Sequence, residues 1–136
     1  MGNGTLGEFD WVNARADCSL LSVFLKLQSE CQADVERVNK RLSLSDSREV
    51  KPHFCIEANE ANNQFWAFGS SDPRSIVKFF LREDRIEVTT LSETLSVTLT
   101  LNNEGRCKLR VNGAQELDQW QLRNLVLADL FFTRPD

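Results

Sequence analysis

Tyrosine is missing from this sequence altogether, although nine Phe and three Trp are present. Buried rings should therefore supply bulk without the hydroxyl handle that tyrosine brings. Histidine is nearly missing as well, His53 being the only one. No CxxC pair accompanies it, so a zinc site with three or four protein ligands has no candidate set, and no metal or other cofactor is expected. Also absent are the GxGxxG and GxxxxGK[ST] patterns that cradle phosphate. No stretch approaches the roughly 18 apolar residues of a membrane span. The opening "MGNGTLGEFDW" shows no apolar run of the signal-peptide kind. Positive charge is in deficit: the formal net charge is −4. That balance speaks against nucleic acid and against anionic membrane surfaces as partners.

What is present suits one ordinary domain over residues 1–136. The chain is 41% hydrophobic and 26% charged, and this length can bury a core without staples. Four cysteines, Cys18, Cys31, Cys55 and Cys107, occur without signs of secretion. They are expected to be reduced and free, and the protein cytoplasmic.

Hydrophobic spacing divides the chain into three zones. Leu20, Phe24, Leu27, Cys31, Val35, Val38 and Leu42 follow one another at intervals of three or four, which predicts a long helix from about Asp10 to Ser43. Asp10 suits its N-cap, and Leu21 with Leu25 adds a second stripe. From 53 to 111 the period changes to two. Phe54, Ile56 and Ala58 alternate with His53, Cys55 and Glu57, and Val77, Phe79 and Leu81 with Ile76, Lys78 and Phe80; Leu95, Val97, Leu99 and Leu101, then Cys107, Leu109 and Val111, alternate with polar residues. The short polar connections between these runs predict an antiparallel meander of about six strands. Asn112 and Gln115 are placed to cap a second helix over about 113–132, apolar nearly all round. The fold class is thus α+β: a long N-terminal helix, the meander and a C-terminal helix, with both helices on one sheet face.

The stretch "HFCIE" places His53 and Cys55 on one side of a strand, about 6.5–7 Å apart. A nucleophilic dyad would need an orienting third group, and Glu57 beside Cys55 disfavours the thiolate. The expectation is an ordinary strand start and no catalytic constellation. Arg106, Lys108 and Arg110 line the outer side of one strand and are expected to be a solvated, charged face.

Two features point to a surface for partners. Cys55, Ile76, Phe80 and either Phe65 or Trp66 give the outer face of the first strands an apolar half. A continuous helix of about 33 residues would span about 50 Å, twice the length of the strands, and Val35, Val38 and Leu42 would carry its apolar stripe past the sheet. Val35, Val38, Leu42, Phe65, Ile76 and Phe80 are accordingly the candidate interaction surface of a homodimer, an unidentified protein being a further possible partner. A break near Cys18 to Leu20 is the competing possibility. The function expected is a non-catalytic protein-interaction or regulatory module, not an enzyme. The alternative is a carrier of a small hydrophobic ligand held between sheet and helices.

Overall fold

The computed structural model describes residues 9–45, 53–70 and 72–132. Its N-terminal helical zone is split into α1 (Trp11–Asp17) and α2 (Leu20–Ser45). Asp10 caps α1 as its position suggests, Oδ1 accepting the Asn13 N–H at 3.1 Å. At the break, Ser19 Oγ accepts the Ser22 N–H at 3.2 Å, and the Ser19 carbonyl accepts the Val23 N–H. A fresh N-cap therefore starts a second helix without any Gly or Pro. With 26 residues, α2 is about 39 Å long. Val35 is buried in the chain's own core, whereas Val38 and Leu42 lie further along the helix, beside the C-terminal helix.

The period-two zone forms β1 (Phe54–Asn59), β2 (Gln64–Gly69), β3 (Asp72–Leu81), β4 (Ile86–Thr89), β5 (Thr94–Leu101), β6 (Cys107–Val111) and β7 (Glu116–Leu117). They pair in sequence order as one antiparallel seven-stranded sheet. The strand beyond the expected six comes from Asn112-Gly113. Both residues have positive φ, 53° and 73°, and the Ala114 N–H donates to the Val111 carbonyl at 2.9 Å. That is the primed hairpin turn that Asn-Gly favours. Asn112 is thus a turn residue, its Oδ1 accepting the Ser96 N–H at 2.8 Å. The C-terminal helix α3 (Gln119–Phe132) starts later than the sequence suggests. There the Asp118 N–H donates to Gln121 Oε1 at 2.8 Å, the reciprocal arm of a capping box.

One sheet face carries both helices. Phe24, Leu27, Cys31 and Val35 of α2, and Leu122, Val126, Leu127 and Leu130 of α3, pack with the inward residues of the strands. At the centre Phe65 and Phe79 stack at 4.4 Å, and Phe24 tilts against Phe65 at 5.2 Å. Phe65 belongs to this core, which leaves Trp66 on the outer face. Two further expectations change. Leu21 and Leu25 form no second seam, being 56% and 54% exposed. Trp120, Leu125 and Phe132 of α3 are exposed as well, so that helix is not buried on two sides.

The largest departure concerns the thiols. Cys18, in the α1–α2 break, is disulfide-bonded to Cys107 on β6, with Cα atoms 5.4 Å apart. Cys107 does face the core side, as strand parity suggests, but it is not free. The bond closes a sequence separation of 89, a loop for which cross-linking stabilises by about 4–5 kcal/mol in the chain-entropy account. Two of the four cysteines expected to be free are thus bonded to each other. Among the described residues no helix is long and apolar enough to cross a membrane.

Cys31 and Cys55 are the free cysteines. Burial, with Asp34 adding to it, pushes the Cys31 thiol up to about 12, whereas Cys55 is half-buried on the outer sheet face. Alkylation of unreduced protein should therefore label Cys55 in the native state, add Cys31 in denaturant, and reach Cys18 and Cys107 only after reduction. Mass spectrometry reads this directly, and labelling of Cys18 without reductant excludes the bond. Phe24→Ala should lower stability by about 3–5 kcal/mol in urea unfolding, as a truncation inside the aromatic layer.

Candidate functional site

The seam between α2 and α3 is held by Arg123. Its guanidinium meets Asp34 Oδ2 at 2.6 Å and Glu30 Oε2 at 3.6 Å, and its side chain is 13% exposed. Arg123 Nε is buried and has no hydrogen-bond partner among the described residues. Asp34 is shared, because Arg37 Nη1 reaches its other oxygen at 2.9 Å.

From Asp34 to Leu42 on α2 and from Trp120 to Phe132 on α3, the facing side chains leave a groove of about 820 Å³. Its apolar lining is Val38, Leu42, Leu127 and Phe131. Phe131 is held edge-on by Phe54 at 5.1 Å. Trp120 and Phe132, 59% and 73% exposed, add two large rings to the lining. Arg37, Arg41 and Arg123 also line the groove, with Asp34 the carboxylate among its lining residues. The helical repeat explains the mixture. Arg37 and Arg41 are four apart, as are Val38 and Leu42, so two turns of α2 present adjacent basic and apolar rows. The pattern is present in the sequence, where Arg41 reads simply as a charge complementing the helix dipole. Only the position of α3 turns it into a site.

The six residues expected to form one surface are distributed over three places. Val35 and Phe65 are in the core, Val38 and Leu42 line the groove, and Ile76 and Phe80 are half-buried on the outer sheet face. On that face Phe68 sits opposite both Cys55 and Ile76, while the Arg82 guanidinium covers the Phe80 ring at 4.8 Å. Arg82 also donates to Glu87 at 2.9 Å, and this bond is the main reason the Glu87 carboxyl lies below its usual range. The basic strand is largely neutralised: Lys108 pairs with Asp118, and Arg110 with Glu116 at 3.0 Å. His53 serves through its backbone, its N–H donating to Asn39 Oδ1 at 3.1 Å, while its buried Nε2 has no hydrogen-bond partner among the described residues. Among the described residues no three His, Cys, Asp or Glu side chains are grouped to hold a metal ion.

Comparison of the chain with protein-family models, with curated proteins and with solved structures finds no match.

Arg123→Ala should destabilise by about 1–3 kcal/mol, because it leaves Asp34 and Glu30 together without their cation. Arg123→Met, which keeps the packing, should lose more than half as much if charge neutralisation is the dominant role. Urea midpoints at low and high salt distinguish the two contributions, since salt relieves only the carboxylate repulsion.

Proposed function

We propose that this chain is a non-catalytic protein-interaction module whose α2–α3 groove takes an acidic, amphipathic helical segment of a partner protein. The observation that supports it is the company of Arg37 and Arg41 beside an apolar groove, on a chain whose net charge is −4. A channel between two helices suits a third helix, whose apolar residues at intervals of three and four enter the groove. Trp120 and Phe132 offer large rings at little entropic cost, the kind of anchor that dominates binding energy. Carboxylates on the entering helix would meet the arginines at the rim, giving orientation and a salt-dependent association rate. The polar groups of the groove are guanidinium groups, an amide and an ion-paired carboxylate, suited to binding anions more than to moving protons. The Cys18–Cys107 bond favours an oxidising compartment for the encounter.

The test uses a synthetic amphipathic helix with Leu on one face and Glu on the other, its Lys-for-Glu counterpart, and a long-chain fatty carboxylate. Calorimetry, with Trp120 fluorescence as a local reporter, should show binding of the Glu peptide alone. The double variant Arg37→Glu, Arg41→Glu should weaken it by about tenfold or more. Equal binding of both peptides, or failure of the Glu peptide to bind, overturns the proposal. Stoichiometric uptake of the fatty carboxylate in its place assigns the groove to a small amphiphilic ligand.

A further inference from the structure

The sheet has two ends, and they are treated differently. β7 is two residues long, and ion pairs from Lys108 and Arg110 flank it. β1 is a six-residue edge with no Lys, no Pro and no register shift against β2. Register and hydrogen bonding define which of its backbone groups face outward. The Ser70 N–H donates to the His53 carbonyl, so that carbonyl points toward β2, and by alternation the backbone groups of Cys55, Glu57 and Asn59 do too. Those of Phe54, Ile56 and Ala58 then point away from the sheet. Asn39 confirms the first: its side chain accepts the Phe54 N–H and donates to the Phe54 carbonyl, both at 2.9 Å, imitating a neighbouring strand. Nothing among the described residues does the same for Ile56 and Ala58.

We infer that β1 pairs antiparallel with β1 of a second copy of this chain, about a two-fold axis through Glu57 that is perpendicular to the sheet. In that register Ile56 lies opposite Ala58 of the second copy. Each N–H and each carbonyl of those residues finds a partner, and the symmetry satisfies both edges at once. Asn39 limits the pairing to this central stretch. The side chains agree: Ile56 and Ala58 share the core-side face, and the exposed Ala58 methyl leaves room for the isoleucine across the axis. Against this stands one repulsion, because Glu57 meets its own copy on the outer face. Both carboxylates are exposed, so water and salt screen them, and the repulsion weakens the pair without preventing it.

A hydrogen-bonding edge makes a sharp test. Ala58→Pro deletes an outward N–H and no bond of the β1–β2 ladder, and Ala58→Lys places a charge at the same exposed position. Sedimentation velocity over a concentration series should show reversible dimers of the unaltered chain. Each Ala58 variant should weaken association by about tenfold or more, with the circular dichroism retained for Ala58→Lys even if the proline variant misfolds. Glu57→Gln, by removing the repulsion at the axis, should tighten the dimer severalfold. A chain that stays monomeric at every concentration overturns the inference. A dimer indifferent to Ala58→Lys, or unmoved by Glu57→Gln, overturns it equally.

Discussion

A meander of seven strands has two faces, and the helices among the described residues lie on one of them. At about 4.8 Å between neighbours the sheet is about 29 Å across, against about 20 Å for two helices side by side. The stacked rings of Phe65 and Phe79 sit on the covered face, and α2 is seated on them through Phe24. Everything distinctive elsewhere follows from that shortage. The outer face keeps half-buried Cys55, Trp66, Phe68, Ile76 and Phe80 beside charged neighbours. α2 and α3 meet at Arg123 but leave a groove along the turns that follow. β1, at the rim, is finished by a single asparagine at Phe54.

Much of this fold was legible because periodicity reports burial. Residues that lie on the core side of β1, β3, β5 and β6 are among those the period-two pattern selects, and Cys107 falls on the side its parity requires. What escaped was decided by local chemistry or by tertiary proximity. The break at Ser19 is the alternative that the sequence leaves beside a continuous helix, because the hydrophobic stripe starts at Leu20 and carries no signal for what precedes it. Asn112-Gly113 satisfied a helix-capping pattern and a hairpin pattern at once, and only the pairing of Leu117 with Leu109 decides between them. The disulfide had no local signature, since its cysteines are 89 residues apart. Of the candidate surface, Leu42 and Val38 reached the groove, whereas Phe65 and Trp66 are adjacent, both aromatic, and distinguished only by register.

Charge is distributed in a way that separates structural from available cations. On the strands Arg82 is matched with Glu87, Lys108 with Asp118 and Arg110 with Glu116. The charges of Lys108 and Arg110 are thereby met within the chain. Arg123 is likewise committed, since it neutralises Glu30 and Asp34 across the helix seam. Arg37 differs in degree: it is tied to an aspartate already shared, and its side chain is 69% exposed. Attraction of the proposed acidic segment would therefore concentrate at the second half of α2, beside the exposed Trp120 and Phe132 rings of α3.

In the dimer inferred above, symmetry would couple the edge and the groove. An axis perpendicular to the sheet keeps the core-side faces of both copies on the same side, and with them both pairs of helices. Two grooves would then open on the helix-covered side of one continuous sheet. An acidic helix presented twice by a partner could engage both, the second contact forming at the high effective concentration that the first creates. The gain depends on the spacing of the two helices in the partner and requires no new contact on this chain. A short, weakly paired edge is then sufficient, because ligand binding to both grooves would stabilise the paired state by mass action. Partner affinity and self-association should consequently rise and fall together for a two-site partner, and vary independently for a one-site partner.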